Sequence, residues 1–197
     1  MLRLSRPGSA DDLLEAMDPD DPQAEGLIPY WADPWPSAEG LLRFLSSSRG
    51  PRRPGSSLEI GAGLGFLGMG ILRLGWDLSL SDFHPESLPW LRRNLVANGF
   101  SPKRALQLDW RQKPPGRWKS ILASDVLYEK SFAAEIADFL EEALLPGGHA
   151  WFAEPGRPIA EDGLRLLTQR FKGRIHFSRS RTDGRWKRIN ILELRRE

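Results

Sequence analysis

Short apolar strands alternate with helices from residue 56 onwards, and the chain ends in two strands joined by a tight turn. This alternation predicts a parallel sheet covered by helices on both faces. The last two strands, predicted over 174–180 and 186–194, flank an Asp183-Gly184 turn signal. They must run antiparallel, because a parallel crossover needs about a dozen residues or more. The sequence therefore predicts an α/β fold whose mostly parallel sheet ends in an antiparallel hairpin.

The size and composition of the chain limit the classes of protein to which it can belong. The chain has 197 residues, which is the size of one domain. It has no cysteine, so disulfides, cysteine zinc sites, iron–sulfur clusters and a thiol nucleophile are excluded. No apolar run is long enough to span a bilayer, and residues 1–10 lack the apolar core of a signal peptide. We therefore expect a cytoplasmic protein without a membrane partner.

Charge is distributed unevenly along the chain, although the net charge is only +2. Residues 11–39 hold nine acidic side chains and no Lys or Arg, whereas residues 171–197 hold nine Lys or Arg and three acids. Either segment could attract a partner of opposite charge, but solvated surface is the simpler interpretation. Because residues 1–28 lack sustained periodicity, we predict a loose acidic arm over 1–28 and a single domain over 29–197. Ser37 is predicted to be the N-cap of the first helix in that domain.

A glycine-rich turn follows the first predicted strand. Glu59–Gly65 reads Glu-Ile-Gly-Ala-Gly-Leu-Gly. Glycines let the backbone turn sharply and approach a ligand closely, and the helix that follows offers N–H groups to an anion. Asp82 ends the second predicted strand, 21 residues after Gly61, where a carboxylate can accept hydrogen bonds from both hydroxyls of a ribose. Because ligands of such sheets bind at the carboxyl ends of the strands, both features predict a cofactor site.

The third and fourth predicted strands also end in residues suited to binding. Asp109 and Trp110 follow the third strand, and would supply an acceptor for an exocyclic amine and an aromatic wall for adenine. Residues 124–128, Ser-Asp-Val-Leu-Tyr, follow the fourth strand, where a substrate would meet the cofactor. The sequence therefore predicts one site across the carboxyl ends of four strands.

The glycine pattern alone leaves two classes of cofactor open. Gly63–Gly68 fits G-x-G-x-x-G, and Asp82 lies 19 residues after Gly63, which also suits a nicotinamide cofactor. Three observations favour a methyl donor. Glu59 places a carboxylate in the turn, the chain is too short for the second domain of most dehydrogenases, and dinucleotide-binding sheets usually stay parallel throughout. A purely structural glycine turn is the remaining alternative.

Two further motifs flank these residues, and together they resemble a known family. The motifs are 29–36, Pro-Tyr-Trp-Ala-Asp-Pro-Trp-Pro, and 154–158, Glu-Pro-Gly-Arg-Pro. With the glycine turn and Asp125-x-x-Tyr128, they resemble the seven-strand class I methyltransferases of the methyltransferase-16 group, most of all the electron-transfer-flavoprotein β-subunit lysine methyltransferases and their bacterial relatives. The resemblance implies a Rossmann-like fold with a seven-stranded, mostly parallel sheet, helices on both faces and an antiparallel C-terminal hairpin strand.

The resemblance also implies S-adenosyl-L-methionine as the cofactor. The cofactor-binding candidates are Trp35, Glu59, Gly61, Ala62, Gly63, Gly65, Asp82, Phe83, Asp109, Trp110 and Ser124. The catalytic candidates are Asp125, which would orient the acceptor amine, and Tyr128, which would wall its channel. Four of these residues have a structural alternative, because Asp125 could cap a loop, Tyr128 and Trp110 could belong to the core, and Trp35 could fasten the first helix to the sheet. We expect no metal, since the three histidines share no ligand spacing.

The implied activity is methyl transfer to the ε-amine of a lysine on a protein substrate. Alternatives on the same fold are a small-molecule N-methyltransferase, an RNA methyltransferase and a non-catalytic binding module. Val126 and Leu127 stand where methyltransferases of planar amines carry two prolines. Basic residues on a hairpin are by themselves weak support for RNA binding. We therefore expect a monomer whose partner is a protein presenting a lysine, rather than DNA or RNA.

Overall fold

The computed structural model describes residues 2–17, 28–48, 50–51 and 55–197. The described strands are β1 (Ser56–Ile60), β2 (Asp77–Asp82), β3 (Ala105–Gln107), β4 (Trp118–Ser124), β5 (Leu144–Glu154), β6 (Lys172–Thr182) and β7 (Arg185–Arg195). The described α-helices are α1 (Ala10–Glu15), α2 (Pro36–Leu45), α3 (Phe66–Arg73), α4 (Ser87–Ala97), α5 (Phe132–Ala143) and α6 (Pro158–Arg170). None of these helices is both long and apolar enough to cross a bilayer.

The seven strands form one sheet in the order β3-β2-β1-β4-β5-β7-β6. Parallel pairing joins β3 to β2, β2 to β1, β1 to β4 and β4 to β5. β7 runs antiparallel to both β5 and β6. This arrangement confirms the predicted α/β fold with its antiparallel C-terminal hairpin. The strand order reverses between β1 and β4, which is where ligands bind in doubly wound sheets.

Hydrophobic side chains pack on both faces of the sheet. Adjacent residues of β4 join opposite cores: Ile121 packs in the core that contains α5 and α6, and Leu122 in the core that contains α2, α3 and α4. Successive side chains of a strand point to opposite faces, so a strand buried on both sides is apolar throughout. Burying one such side chain stabilises the fold by about 1.5–3 kcal/mol. The two cores hold the ends of β1, β2 and β4 in a fixed arrangement.

The start of α2 differs from the sequence-based prediction. Trp35 is the N-cap and Pro36 is the first helical residue, a position that tolerates a residue without an N–H group. The prediction that Ser37 is the N-cap is therefore wrong. Ser37 lies in the first turn, where a backbone amide has no partner within the helix. The Ser37 amide instead donates a hydrogen bond to Oδ2 of Asp125 at 3.0 Å. This bond fixes the start of α2 to the loop that follows β4.

The β6–β7 hairpin extends past the carboxyl end of β5. Glu154, the last residue of β5, pairs with Asn190 of β7, which in turn pairs with Phe177 of β6. Residues 178–189 continue beyond the Glu154–Asn190 pair, and in the described part of the sheet the two strands pair only with each other there. We call residues 178–189 the hairpin tip. One side of the tip contacts α2, where the Arg181 amide donates to the carboxylate of Glu39 at 2.8 Å.

Residues 2–5 lie along α4. The side-chain amide of Asn98 bonds the backbone N–H and carbonyl of Arg3, and the amide of Asn94 does the same for Ser5. α1 follows, with a capping box formed by Ser9 and Asp12. Residues 18–27 of the predicted arm lie outside the described residues. The division into an arm over 1–28 and a domain over 29–197 stays a prediction.

Candidate active site

A cleft opens at the carboxyl ends of β1, β2 and β4. The predicted site residues that line the cleft are Trp35, Glu59, Gly61, Ala62, Gly63, Asp82, Phe83, Trp110, Ser124, Asp125 and Tyr128. Gly65 and Asp109 are not among the described residues that line it. The fold therefore brings together most of the residues that the sequence singled out.

The glycine turn after β1 forms one side of the cleft. Gly61 and Gly63 have φ angles of 63° and 51°, a left-handed conformation that residues with a Cβ rarely adopt. A Cβ on Gly61 would lie 2.8 Å from Cγ1 of Val126, and one on Gly63 would lie 2.9 Å from the carbonyl oxygen of Trp31. Gly65 instead caps α3 with a φ of 85°. The first two glycines thus let the turn pack closely against Val126 and Trp31, whereas Gly65 lets the helix begin.

Asp82, at the end of β2, lies against the glycine turn. Its Oδ2 accepts a hydrogen bond from the Gly63 amide at 2.8 Å, and its Oδ1 accepts one from the His84 amide at 3.0 Å. The residue is buried, and burial raises the pKa of its carboxyl group above the ordinary value. Each carboxylate oxygen retains a second lone pair, so Asp82 can still accept hydrogen bonds from two hydroxyl groups of a ligand.

Glu59 lies deeper in the same turn. Its side chain is buried at the cleft, and its Oε2 has no hydrogen-bond partner among the described residues. Burial is the main cause that raises the pKa of Glu59 to about 8, the nearby Gly68 amide acts in the opposite direction, and repulsion from Asp82 adds to the rise. A buried polar atom without a partner costs about 1–3 kcal/mol. Glu59 is therefore the kind of group that a polar ligand in the cleft would satisfy.

Trp110 and Phe83 form an aromatic side of the cleft, with ring centroids 6.4 Å apart. Trp110 is buried, and its Nε1 has no partner among the described residues. Asp109 instead faces a neighbouring cavity of about 580 Å³ that both rings also line. Both of its carboxylate oxygens accept hydrogen bonds from Arg111, at 2.8–3.0 Å. That Asp109 accepts a hydrogen bond from an exocyclic amine stays a prediction. The Asp109 carboxylate would have to accept this bond in addition to those from Arg111.

A third cavity, of about 470 Å³, shares Tyr30, Trp35, Asp125 and Tyr128 with the cleft, and we call it the aromatic mouth. The residues that line it are Tyr30, Trp35, Asp125, Tyr128 and Arg157. Tyr30 meets Tyr128 edge to face with centroids 5.2 Å apart, and its carbonyl accepts a hydrogen bond from Nε1 of Trp35 at 2.8 Å. Burial raises the pKa of Tyr128. The mouth therefore offers three aromatic rings around one carboxylate.

Asp125 is held from two sides. Its Oδ2 accepts the Ser37 amide, and its Oδ1 accepts a hydrogen bond from Nη2 of Arg157 at 2.9 Å. The Asp125 side chain is only 3% exposed, and burial raises the pKa of this carboxyl group, while Arg157 acts in the opposite direction. Asp125 also has a φ of 60°, which costs a residue with a Cβ of order 1–2 kcal/mol. The sequence predicted the place of Asp125 but not this fixed orientation.

The loop between β5 and α6 positions Arg157. Glu154 caps this loop, because its Oε1 accepts the Gly156 amide at 2.7 Å and its Oε2 accepts the Arg157 amide at 2.9 Å. Oε1 also accepts a hydrogen bond from Nδ2 of Asn190 at 2.9 Å, which ties the loop to β7. The guanidinium of Arg157 lies 5.4 Å from the ring centroid of Trp35. Glu154 is thus a positioning residue for Arg157.

Several residues at the site were missing from the sequence-based candidates, among them Tyr30, Trp31, His84 and Arg157. Trp31 and His84 line the cleft, with their ring centroids 5.6 Å apart, and Arg157 lines the aromatic mouth. Trp31 and Arg157 belong to motifs that the sequence analysis had singled out, so a signal existed for both. His84 follows Asp82 by two residues, and no pattern in the sequence marked it.

The chain is similar to proteins of known activity. The family model described as lysine methyltransferase matches residues 32–158. The electron transfer flavoprotein beta subunit lysine methyltransferase of Xenopus laevis is 28% identical over 131 residues, which are 66% of this chain and 53% of that protein. Protein N-lysine methyltransferase METTL21A of Mus musculus is 31% identical over 102 residues, which are 48% of this chain and 46% of that protein. The chain thus spans about half the length of the curated relatives it matches.

The fold is also that of solved methyltransferase structures. The N-methyltransferase NodS of Bradyrhizobium japonicum, in complex with S-adenosyl-L-homocysteine, superposes with a TM-score of 0.63 at 17% sequence identity, covering 96% of this chain and 99% of that one. This likeness confirms the Rossmann-like fold of class I methyltransferases. The family match covers more than half of the chain, from Ala32 to the start of α6. This protein therefore belongs to the lysine methyltransferase family.

Proposed function

We propose that this protein is an S-adenosylmethionine-dependent methyltransferase that modifies the ε-amine of a lysine on a protein substrate. The observation that carries the proposal is a buried carboxylate, Asp125, at the junction of the cleft and the aromatic mouth. A cofactor in the cleft and an amine in the mouth would meet there. Membership of the lysine methyltransferase family supports the same acceptor.

The residues of the cleft fit S-adenosylmethionine. Gly61 and Gly63 present backbone without a Cβ at the wall of the cleft, and Oε2 of Glu59, which has no partner among the described residues, offers a polar contact at its inner end. Asp82 would accept hydrogen bonds from the ribose hydroxyls, while Trp110 would lie against the adenine. When bound, S-adenosylmethionine supplies an electrophilic methyl group on a positively charged sulfur.

The aromatic mouth would receive the lysine side chain. A lysine amine has an ordinary pKa of about 10.4, so it must lose a proton before it can act as a nucleophile. Tyr30, Trp35 and Tyr128 would exclude water from around the amine, and desolvation favours its neutral form. Positioning of two reactants in this way can lower a reaction barrier by about 7–11 kcal/mol. The rings would also stabilise the cationic product by cation–π attraction.

Asp125 would orient the amine through its carboxylate lone pairs. A bare carboxylate would also favour the charged ammonium, which opposes methyl transfer. The ion pair with Arg157 offsets that charge, because the guanidinium donates to Oδ1 at 2.9 Å. Asp125 would therefore hold the amine without strongly raising its pKa. We assign Asp125 and Tyr128 as residues that contact the acceptor, and Arg157 as a positioning residue.

Methyl transfer to cell lysate tests the proposal. The protein is incubated with radiolabelled S-adenosylmethionine and lysate, which is then separated into protein, RNA and small molecules. We expect label on protein, and mass spectrometry should place it on lysine. The matched control is Asp125→Asn, which should leave the lysate protein far less labelled. Label found only on RNA or on a small metabolite would falsify the lysine acceptor while leaving the cofactor in place.

We further propose that the enzyme acts as a cytoplasmic monomer on its protein substrate, without a DNA, RNA or membrane partner. In the described part of the chain, residues of a single copy line both the cleft and the aromatic mouth. Size-exclusion chromatography with light scattering would measure the oligomeric state, and a stable dimer would contradict the proposed monomer.

A further inference from the structure

The hairpin tip carries basic side chains without acidic partners. These cations are Arg179, Arg181, Arg185, Lys187 and Arg188, and they are all exposed. Within the described residues, none of the five forms an ion pair with an acidic side chain. Asp183, in the turn, is the single acidic residue of the tip. The tip is therefore a concentrated positive charge on a chain whose net charge is only +2.

Two of these arginines are held in place by aromatic rings. The guanidinium carbon of Arg188 lies 3.6 Å from the ring centroid of Phe177, and that of Arg179 lies 4.4 Å from the centroid of Trp186. Stacking uses the flat face of a guanidinium and leaves its N–H groups at the edge for hydrogen bonds. Two N–H groups at the edge of a planar guanidinium can donate to the two oxygens of one carboxylate. Because the rings already restrict these side chains, less entropy is lost when they bind.

A short series of contacts connects the base of the hairpin tip to the aromatic mouth. Phe177 pairs with Asn190, Asn190 donates to Glu154, and Glu154 holds the amide of Arg157 at the mouth. The tip extends beyond the carboxyl end of β5, the same end of the sheet at which the mouth opens. A polypeptide whose lysine entered the mouth would therefore have its neighbouring residues close to the tip.

We propose that the hairpin tip binds an acidic segment of the protein substrate that flanks the acceptor lysine. The inference rests on the proposed function, since it takes the mouth as the lysine site. Acidic side chains of the segment would pair with Arg179 and Arg188. Ile175, which is 52% exposed in β6, would supply an apolar contact beside Phe177.

A peptide fits this surface better than RNA does. Proteins that bind single-stranded nucleic acid stack bases on open aromatic rings. Here the ring centroid of Trp186 lies within 5.1 Å of the guanidinium carbons of both Arg43 and Arg179, and that of Phe177 lies 3.6 Å from the guanidinium carbon of Arg188. Bases stacked on these ring faces would have to displace the arginines.

Fluorescence anisotropy with the full chain tests the proposal in the absence of cofactor. The probes are a labelled peptide with one lysine flanked by glutamates, the same peptide with glutamines, and a labelled single-stranded RNA. The test variant is Arg179→Glu with Arg188→Glu, and Arg179→Gln with Arg188→Gln is the milder form. The matched control is Arg92→Glu with Arg93→Glu on α4, where both arginines are exposed and Arg93 lies over the ring of Trp90.

We expect the glutamate peptide to bind wild type and the α4 control alike, with affinity that falls as salt rises. Both hairpin variants should bind it more weakly, and the charge reversal by at least about tenfold, or ~1.4 kcal/mol. Equal weakening by the α4 control, equal binding of the glutamine peptide, or tighter binding of RNA would each overturn the inference. Because the assay measures no methyl transfer, it can fail or succeed independently of the proposed activity.

Discussion

Nη2 of Arg157 donates a hydrogen bond to Oδ1 of Asp125 at 2.9 Å, across 32 residues of sequence. The pair joins the loop after β5 to the loop after β4, and it lies against the ring of Trp35. The other titratable groups near Asp125 are Glu154 in β5 and the tyrosines of the mouth, Tyr30 and Tyr128. Arg157 is thus the cation that balances the buried carboxylate, and this balance can be tested through the pH dependence of the reaction.

Arg157→Gln should move the acidic limb of the rate–pH profile to higher pH. Without the guanidinium, the Asp125 carboxylate favours the ammonium form of the acceptor lysine and raises its pKa. An opposite charge at this distance shifts a pKa by about 1–3 units. We expect a shift of about one pH unit, measured as single-turnover methyl transfer across the pH range.

A purely structural role for Arg157 gives a different result. Misplacement of the loop would lower the rate equally at every pH and leave the limb where it is in wild type. The double variant Asp125→Asn with Arg157→Gln is the control, because removal of both charges should return the limb towards lower pH. An unshifted limb in Arg157→Gln would contradict the charge-balancing role even if lysine methylation is confirmed.

Asp125→Asn should lower the turnover of lysine methylation at least about tenfold, a loss of about 1.4 kcal/mol of transition-state stabilisation. The change keeps the shape of the side chain and removes the charge that would orient the amine. S-adenosylhomocysteine affinity should change little, because Asp82 and Trp110 would hold the other end of the cofactor. Calorimetry and initial rates on the same preparation measure both quantities, and a parallel loss of cofactor affinity would contradict the assignment.

Asp82→Ala should weaken S-adenosylhomocysteine binding by roughly 2–5 kcal/mol, from two charge-assisted hydrogen bonds of about 1.5–3 kcal/mol each. Asp77→Ala is the matched control, because Asp77 lies at the other end of β2 and its side chain is 77% exposed. Calorimetry should show the loss for Asp82→Ala alone. NAD should bind neither protein, and measurable NAD binding to wild type would contradict the cofactor assignment.

Glu59→Gln should remove a pH dependence of stability. The pKa of Glu59 is about 8 in the folded protein and 4.5 when unperturbed. Between these values the folded state binds more protons than the unfolded state, so the free energy of unfolding falls as pH rises from 4.5 to about 8. The full effect is on the order of several kcal/mol. Thermal melting of the ligand-free protein at pH 5 and pH 8 measures it.

The glutamine variant should lose less stability than wild type over that interval. Glu129→Gln, a change of an exposed glutamate, serves as the control and should follow wild type. If all three proteins lose the same stability between pH 5 and pH 8, Glu59 is not buried as a protonated acid.

Local patterns were enough to predict the sheet and the position of the cleft. The glycines of the turn and Asp82 lie at strand ends, and strand ends are marked by local changes of periodicity. The aspartate and tyrosine of Asp125-x-x-Tyr128 are close in sequence and follow the same strand. Residues of this kind are brought together by the topology alone, so their place in the site could be predicted.

Contacts between distant loops could not be predicted in the same way. The Arg157–Asp125 pair depends on the conformation of the β5–α6 loop, which Glu154 and Asn190 stabilise from different strands. Ser37 looked like an N-cap because serine favours that position, but Pro36 starts the helix and the Ser37 amide bonds to a side chain 88 residues away. Sequence patterns describe neighbours along the chain, whereas these bonds depend on tertiary packing.

The two edges of the sheet differ greatly in length, since β3 has three residues and β6 has eleven. A long open edge can pair with an edge of another molecule and start aggregation, and charged side chains on the edge oppose this. The arginines of β6 are therefore placed to oppose such pairing. Polyanions that neutralise these charges should promote fibrous or amorphous aggregates, so heparin or nucleic acid carried through purification would reduce the yield of soluble protein.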